Sequence, residues 1–195
     1  QTCALLIWAV AAPQSIGAIP VPVYQDMAAD ELKYVLDHAE VRFAMAEDQE
    51  QVDKLLAIAG KSEALQAIIY CNPRGMRHYE QDYIHSYADA VEKGRDYDRA
   101  NPDFYVQAVD ATTGADTSVM AYTSGTTGQP KGVVLSHANI RKTAYNAAVW
   151  ENLQESDNML AYLPMAWIGD YIFSYAQSYV RSEEHTSELQ SHLNL

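Results

Sequence analysis

The sequence predicts an α/β fold, a mostly parallel sheet covered by helices, and three observations carry that prediction. Short apolar segments alternate with one-sided amphipathic segments between residues 17 and 70. Prolines and a glycine punctuate the junctions at Pro20, Pro22, Gly60 and Pro73. The composition, 48% apolar and 20% charged, is that of a globular chain with a core rather than of a disordered one.

Taken in order, Gly17–Tyr24 is an extended apolar stretch that its two prolines confine to a sheet edge or to a strand entered from a loop. Asp26 is placed to cap the helix that follows, and Asp30 and Glu31 suit that helix's positive end. Leu32, Val35 and Leu36 then fall at i, i+3 and i+4, a single apolar stripe. Val41–Met45 reads as a short strand. Glu50–Ala59 reads as a second helix, with Val52, Leu55, Leu56 and Ile58 as its apolar positions and Gly60 as its stop. Ala67–Tyr70 is another strand, ended by Asn72-Pro73. Strand, helix, strand, helix, strand is the order of a parallel sheet under helices. Residues 78–110 are looser and rich in Tyr and Asp, with a helix expected from about Tyr83 to Lys93 and a polar connection through Asn101-Pro102. Ser118–Tyr122 and Gly132–Leu135 are strands, and Ser136 caps a helix running to about Asn152. Met159–Leu163 is a last strand before Pro164 and an aromatic-rich helix.

At 195 residues the chain can bury one ordinary core. No stretch approaches the ~18 continuous apolar residues of a membrane-spanning helix. The run Ala4–Ala12 is too short, and without an initiating Met or a basic flank it does not read as a signal peptide. A chain opening on Gln1 inside an apolar helix implies that the true N-terminus lies upstream. A net charge of −13 argues against a nucleic-acid partner, since phosphate backbones demand clustered Lys and Arg. Cys3 and Cys71 stand alone, without metal-ligand spacing, and suggest buried thiols in a reducing compartment.

From Arg181 the pattern breaks. Residues 181–191 back-translate in register to the adapter of a common short-read sequencing library, so 181–195 is expected to be a non-native tail and His185 and His192 are given no chemistry. The natural protein is expected to continue past Val180, with 1–180 one partial domain.

The chemistry lies between two strands, in Tyr122-Thr-Ser-Gly-Thr-Thr-Gly-Gln-Pro-Lys-Gly132. Gly125, Gly128 and Gly132 let the backbone approach a ligand and turn N–H groups inward, making an anion-binding concavity. Thr123, Ser124, Thr126 and Thr127 add neutral hydroxyl donors, and Lys131 one cation on a long arm suited to phosphate oxygens. Together they describe a polyphosphate cradle. It is not a Walker loop: counted from Gly125, that pattern needs Gly at 130 and Ser or Thr at 132, where this chain has Pro130 and Gly132. No GxGxxG follows the early strands, which disfavours dinucleotide binding.

These residues resemble the signature of the acyl-adenylate-forming superfamily, which includes acyl-CoA synthetases, luciferases and peptide-synthetase adenylation domains. Residues 133–139, Val-Val-Leu-Ser-His-Ala-Asn, fit it as well. Leu163-Pro-Met-Ala-Trp-Ile-Gly-Asp170 is similar to the superfamily's second core motif. That form, with Ile19-Pro-Val-Pro-Val-Tyr24 and Asn72-Pro-Arg-Gly-Met-Arg-His-Tyr79, is most similar to bacterial long-chain fatty-acid-CoA ligases.

The resemblance implies part of the large N-terminal domain of an adenylate-forming enzyme, truncated at both ends. It implies two half-reactions: a carboxylate attacks the α-phosphate of Mg-ATP, giving acyl-AMP and pyrophosphate, and the thiol of coenzyme A then displaces AMP. ATP, Mg²⁺, coenzyme A and a fatty acid are the small molecules implied. Thr123, Ser124, Gly125, Thr126, Thr127, Gly128 and Lys131 would hold the β- and γ-phosphates, with Lys131 stabilising the leaving pyrophosphate and Thr123 touching the metal. Trp167 would stand beside the reacting carboxylate and the acyl entry, although a core aromatic closing a turn remains the alternative. Tyr171, Ile172, Phe173 and Tyr175 read more as core than as acyl tunnel, His137 as a helix-start residue rather than a base, and Asp170 as a charge at a helix N-terminus. A cytoplasmic enzyme is implied, with peripheral membrane association of the parent as the other placement.

The acidic motif, the ribose-holding Asp, the hinge and the C-terminal catalytic Lys would all lie beyond Val180, so this chain alone is not expected to turn over. An enzyme adenylating an aryl or amino acid, and a non-catalytic nucleotide-binding fragment, are the alternative readings. Trp167 in place of the commoner His-containing form favours fatty acids.

Overall fold

Two amphipathic helices and the strands beside them build the first layer of the fold. The computed structural model describes residues 2–60, 64–123, 129–157, 166–169 and 171–173, with side chains from Trp8 onward. Helix α1, Thr2–Ser15, comes first. Helix α2, Ala29–His38, buries Leu32, Val35 and Leu36, the stripe its sequence spacing predicts. Its N-cap is Ala28, without a side-chain bond; Asp26 lies in the turn before and does not cap it, whereas Asp30 and Glu31 occupy the first turn. Helix α3, Gln49–Ala59, is capped by Asp48, whose carboxylate accepts from Gln51 N–H at 3.2 Å, and buries Val52, Leu55 and Ile58. Gly60 ends it.

Strands β1 (Phe43–Ala46), β2 (Ala67–Tyr70) and β3 (Ile84–Ser86) form a parallel sheet in the order β1-β2-β3. The parallel arrangement is the predicted one, but its membership differs. Gly17–Tyr24 is not a strand of this sheet; its extended backbone meets the rest of the fold where Met120 N–H donates to Pro20 C=O at 3.1 Å. Two prolines without N–H groups leave it unable to build a ladder. The third strand is β3, from the stretch predicted to be helical. The helix there, α4, begins only at Tyr87 and runs to Ala100, because Ser86 caps it by accepting from Asp89 N–H at 3.0 Å. Beyond the Asn101-Pro102 turn, the expected loop contains a further helix, α5, Phe104–Ala111, with Phe104 edge-on to Tyr97 at 5.2 Å.

Strands β4 (Thr117–Thr123) and β5 (Lys131–Ser136) form an antiparallel hairpin, and α6, His137–Trp150, follows at once. Ser136 and Asn139 make a reciprocal capping box at its start, so His137 opens the helix as expected. The predicted strand Met159–Leu163, Tyr175 and the 181–195 tail lie outside the described residues. Cys71, just past β2, is half-buried, and burial with the nearby Glu47 charge pushes its thiol pKa up, the state of an unreactive thiol.

Two cores meet at β4. One packs α2, α3 and the parallel sheet and includes Ile68, Val35, Val52 and Tyr122, with Met120 against it. The other joins Val10 of α1, Val119 of β4, Ile140 of α6 and Tyr171. Alternate side chains of a strand point to opposite faces. Thus Met120 and Tyr122 serve the first core, Val119 the second, and β4 is buried on both sides.

Candidate active site at the hairpin mouth

The hairpin register decides what the signature loop can present. Thr123, the last residue of β4, pairs with Lys131, the first of β5, and residues 124–130 connect them. Residues directly opposed in an antiparallel pair carry their side chains on one face, with Cβ atoms roughly 4.5–5.5 Å apart. Both side chains are exposed. A hydroxyl and an ammonium therefore stand together at the mouth of the connection, open to a ligand. Ser124, Gly125, Thr126, Thr127 and Gly128 lie outside the described residues.

The next pair inward, Tyr122 and Gly132, faces the opposite way. A Cβ on Gly132 would lie 3.3 Å from Tyr122 Cζ and 3.3 Å from Met120 Sδ. A side chain at the end of the signature would thus be tight, because the Tyr122 ring and Met120 lie across Gly132. Tyr122 is 8% exposed, and its hydroxyl lies 2.6 Å from His38 Nδ1 at the C-terminal end of α2. Burial, with Tyr34 nearby, pushes the Tyr122 pKa up, so the phenol is neutral and can donate. His38 in turn stacks on Tyr34 at 5.5 Å and meets Tyr122 edge-on at 5.8 Å.

A second polar anchor holds β4 from the other face. The Gln14 amide of α1 donates to Ser118 C=O and Ser118 Oγ, both at 2.7 Å, and also meets the Tyr171 hydroxyl. Gln14, Ser118 and Tyr171 are all at most 5% exposed, so these bonds satisfy groups that water cannot reach. Tyr171 lies in the short helical stretch after Trp167. Tyr171 is core, as the sequence suggests; Ile172 packs against Ala144 and Ala148, and Phe173 is 39% exposed. Trp167 is 51% exposed and is not a buried aromatic closing the turn. Because Thr123 and Lys131 project on the Val119 face of the hairpin, they share that face with the packing partner Tyr171.

The AMP-binding enzyme family matches residues 1–181. The chain belongs to that family. Among its relatives, the human long-chain-fatty-acid–CoA ligase ACSBG2 is 33% identical over 168 residues, which cover 83% of this chain and 24% of that protein. A solved structure from Rhodopseudomonas palustris, named as a long-chain-fatty-acid CoA ligase, superposes with a TM-score of 0.66 at 19% identity, covering 92% of this chain and 40% of that one. ATP-bound MatB from the same organism gives 0.62 at 20% identity, with 91% and 31% covered. These likenesses show the fold of the N-terminal part of adenylate-forming enzymes. The chain spans about a quarter of the length of the curated relatives it matches.

Within this AMP-binding fold the mouth residues suit a nucleotide triphosphate. An exposed cation beside a hydroxyl complements phosphate oxygens. Among the described residues no group of three His, Cys, Asp or Glu side chains could hold a metal by itself. Nothing in the sequence pattern marks Gln14 or His38 as part of the site's support. The one available signal for His38 is its place in the last turn of an amphipathic helix, a position that favours basic residues for another reason.

Proposed function

We propose that this chain is the pyrophosphate-side portion of an AMP-forming acid–thiol ligase acting on long-chain fatty acids. The observation that carries the proposal is the Thr123–Lys131 register pair, which sets a hydroxyl and an ammonium side by side where the signature loop leaves the sheet. In the first half-reaction a carboxylate oxygen bonds to the α-phosphorus of ATP. The bond from that phosphorus to the bridging oxygen of the β-phosphate breaks, and pyrophosphate departs with the electron pair. Phosphoryl-type displacement asks the protein for position and charge rather than covalent help. Lys131 supplies positive charge where negative charge grows on the leaving group, and the Thr123 hydroxyl orients a phosphate oxygen or the nucleotide's magnesium. Ser124, Gly125, Thr126, Thr127 and Gly128 complete the cradle. In the second half-reaction the sulfur of coenzyme A attacks the acyl carbon and AMP leaves.

The long-chain assignment draws on the names of the relatives at about 30% identity, and the exposed Trp167 offers an indole face to the acyl group as it enters. The test is ATP–pyrophosphate exchange by the protein carrying this chain, with palmitate, benzoate and amino acids as carboxylates. Exchange with palmitate that falls by one to three decades in Lys131→Ala is the expected result. Exchange unchanged by that substitution would remove the role of Lys131, and exchange supported only by benzoate or an amino acid would replace the substrate class.

A further inference from the structure

We infer that His38 is a positioning residue for the phosphate-binding hairpin, acting through the Tyr122 hydroxyl to fix the strand end that presents Thr123 and Lys131. The inference rests on the pyrophosphate-side reading given above and adds a residue from outside the signature. His38 belongs to α2, which packs on the parallel sheet, whereas Thr123 and Lys131 belong to the hairpin. The 2.6 Å contact from His38 Nδ1 to the Tyr122 hydroxyl is a side-chain hydrogen bond between those two units, made one residue from Thr123.

The linkage continues across the hairpin. Tyr122 is paired with Gly132, and its ring leaves no ordinary room for a Cβ there, 3.3 Å from Cζ. The ring therefore bears on β5 one residue from Lys131. Held at its hydroxyl by His38 and packed across Gly132, Tyr122 cannot swing without moving both ends of the loop. Tyr34 stacks on the imidazole at 5.5 Å and 26°, which restricts the ring plane and aims Nδ1. A neutral phenol donating to Nδ1 needs the imidazole tautomer with its proton on Nε2.

The test separates the hydrogen bond from the packing. His38→Asn keeps a polar atom near the position of Nδ1 but gives up the stacked ring. His38→Phe keeps a ring over Tyr34 but gives up the hydrogen bond. Tyr122→Phe removes only the hydroxyl. In ATP–pyrophosphate exchange with palmitate, His38→Phe and Tyr122→Phe are each expected to lower kcat by about 3- to 10-fold, the range of one ordinary hydrogen bond. The KM for the carboxylic acid should stay unchanged, because the defect lies on the phosphate side. His38→Asn should stay within about 2-fold of the parent, and the double variant with both Phe substitutions should be no slower than either single one. Thermal melts of each variant set an assay temperature at which all are folded.

An additive double variant, a fully active Tyr122→Phe, or His38→Asn as slow as His38→Phe would overturn the inference. Lys131→Ala, assayed alongside, separates the two levels. If it is slow while the His38 and Tyr122 variants are not, only the positioning role falls. If it is as fast as the parent, the pyrophosphate-side reading falls and takes this inference with it.

Discussion

The two strands that carry the signature loop share a register but not an environment. In β4, Ser118, Val119, Ala121 and Tyr122 are buried, and cores press on both of its faces. In β5 the equally apolar Val133 and Val134 are 40% and 55% exposed. Polar anchors follow the same division: Gln14 holds Ser118 and His38 holds Tyr122, both on β4. One side of the loop is thus buried on both faces, and the other, which carries the cation, is more exposed, with Leu135 packed on the second core. The difference teaches that the hydroxyl of the site stands on a buried strand and its cation on an exposed one. A buried strand sets where the mouth is; an exposed one brings the charge to it.

That division can be broken most decisively at Lys131. Lys131→Ala should lower adenylation by one to three decades while changing unfolding stability by no more than about 0.5 kcal/mol, as expected for an exposed side chain. Exchange kinetics and a denaturant melt on the same preparation check both halves. A large loss of stability would show that β5 is as structural as β4. The reverse pattern is expected at Gln14. Gln14→Leu removes a buried donor from Ser118 and from the Tyr171 hydroxyl and should cost about 1–3 kcal/mol in urea unfolding, with the denaturant slope unchanged. A cost below about 0.5 kcal/mol would mean that those acceptors find other partners.

Gly132 sits where the two strands press on each other and is a finer probe. Gly132→Ala gains from a less flexible unfolded chain but meets Met120 Sδ and Tyr122 Cζ at 3.3 Å. The Met120 thioether can give; the Tyr122 ring, buried and held by His38, resists. The net change should be a destabilisation of about 1 kcal/mol or less, seen as a lower urea midpoint. A stabilised Gly132→Ala would show that the ring can move.

Local chemistry was legible in the sequence and long-range chemistry was not. The stripe Leu32, Val35, Leu36 and the strand Ala67–Tyr70 were readable because helix and strand periodicity writes burial into spacing. The signature loop was readable because its glycines, hydroxyls and Lys131 act together over a short stretch. The errors came where short elements carry no period. Ile84–Ser86 is too brief to alternate, so its residues read as the first turn of a helix that starts at Tyr87. A signal was present, since Ser86 followed three residues on by Asp89 is a helix-start pattern and marks that boundary. Gly17–Tyr24 misled in the other direction: its apolar residues suit a strand, but Pro20 and Pro22 remove the donors a ladder needs. No spacing rule could join Gln14 to Ser118 or His38 to Tyr122, because such pairs exist only after the layers have packed.

The smallest expected effect lies at the closed end of the hairpin, away from the loop. Asp116, just before β4, accepts from Thr113 N–H at 2.6 Å and from the Thr113 hydroxyl at 3.0 Å, and its own carbonyl accepts from His137 N–H at 3.0 Å, just after β5. The Thr113 backbone bond, then the hydroxyl bond, then the charge of His137, hold its carboxyl below the usual range. A folded-state pKa below the unfolded one means that the charged form is favoured by folding. The contribution is therefore present above the unfolded carboxyl value, roughly 3.9, and fades as pH falls through the lower folded value. Asp116→Asn should lower the urea midpoint by the same amount at every pH between 5 and 7. As pH falls below about 4 and on through the lower folded value the gap between variant and parent should close, because the unfolded chain takes up its proton first and the folded carboxylate follows, leaving the two side chains alike in charge. The residue is exposed, so solvent screens the charge and the gap will be small even at neutral pH. A gap that persists unchanged through pH 3 would assign the contribution to the geometry of the turn and not to its charge, and the two strands would then owe their common foot to hydrogen bonding alone.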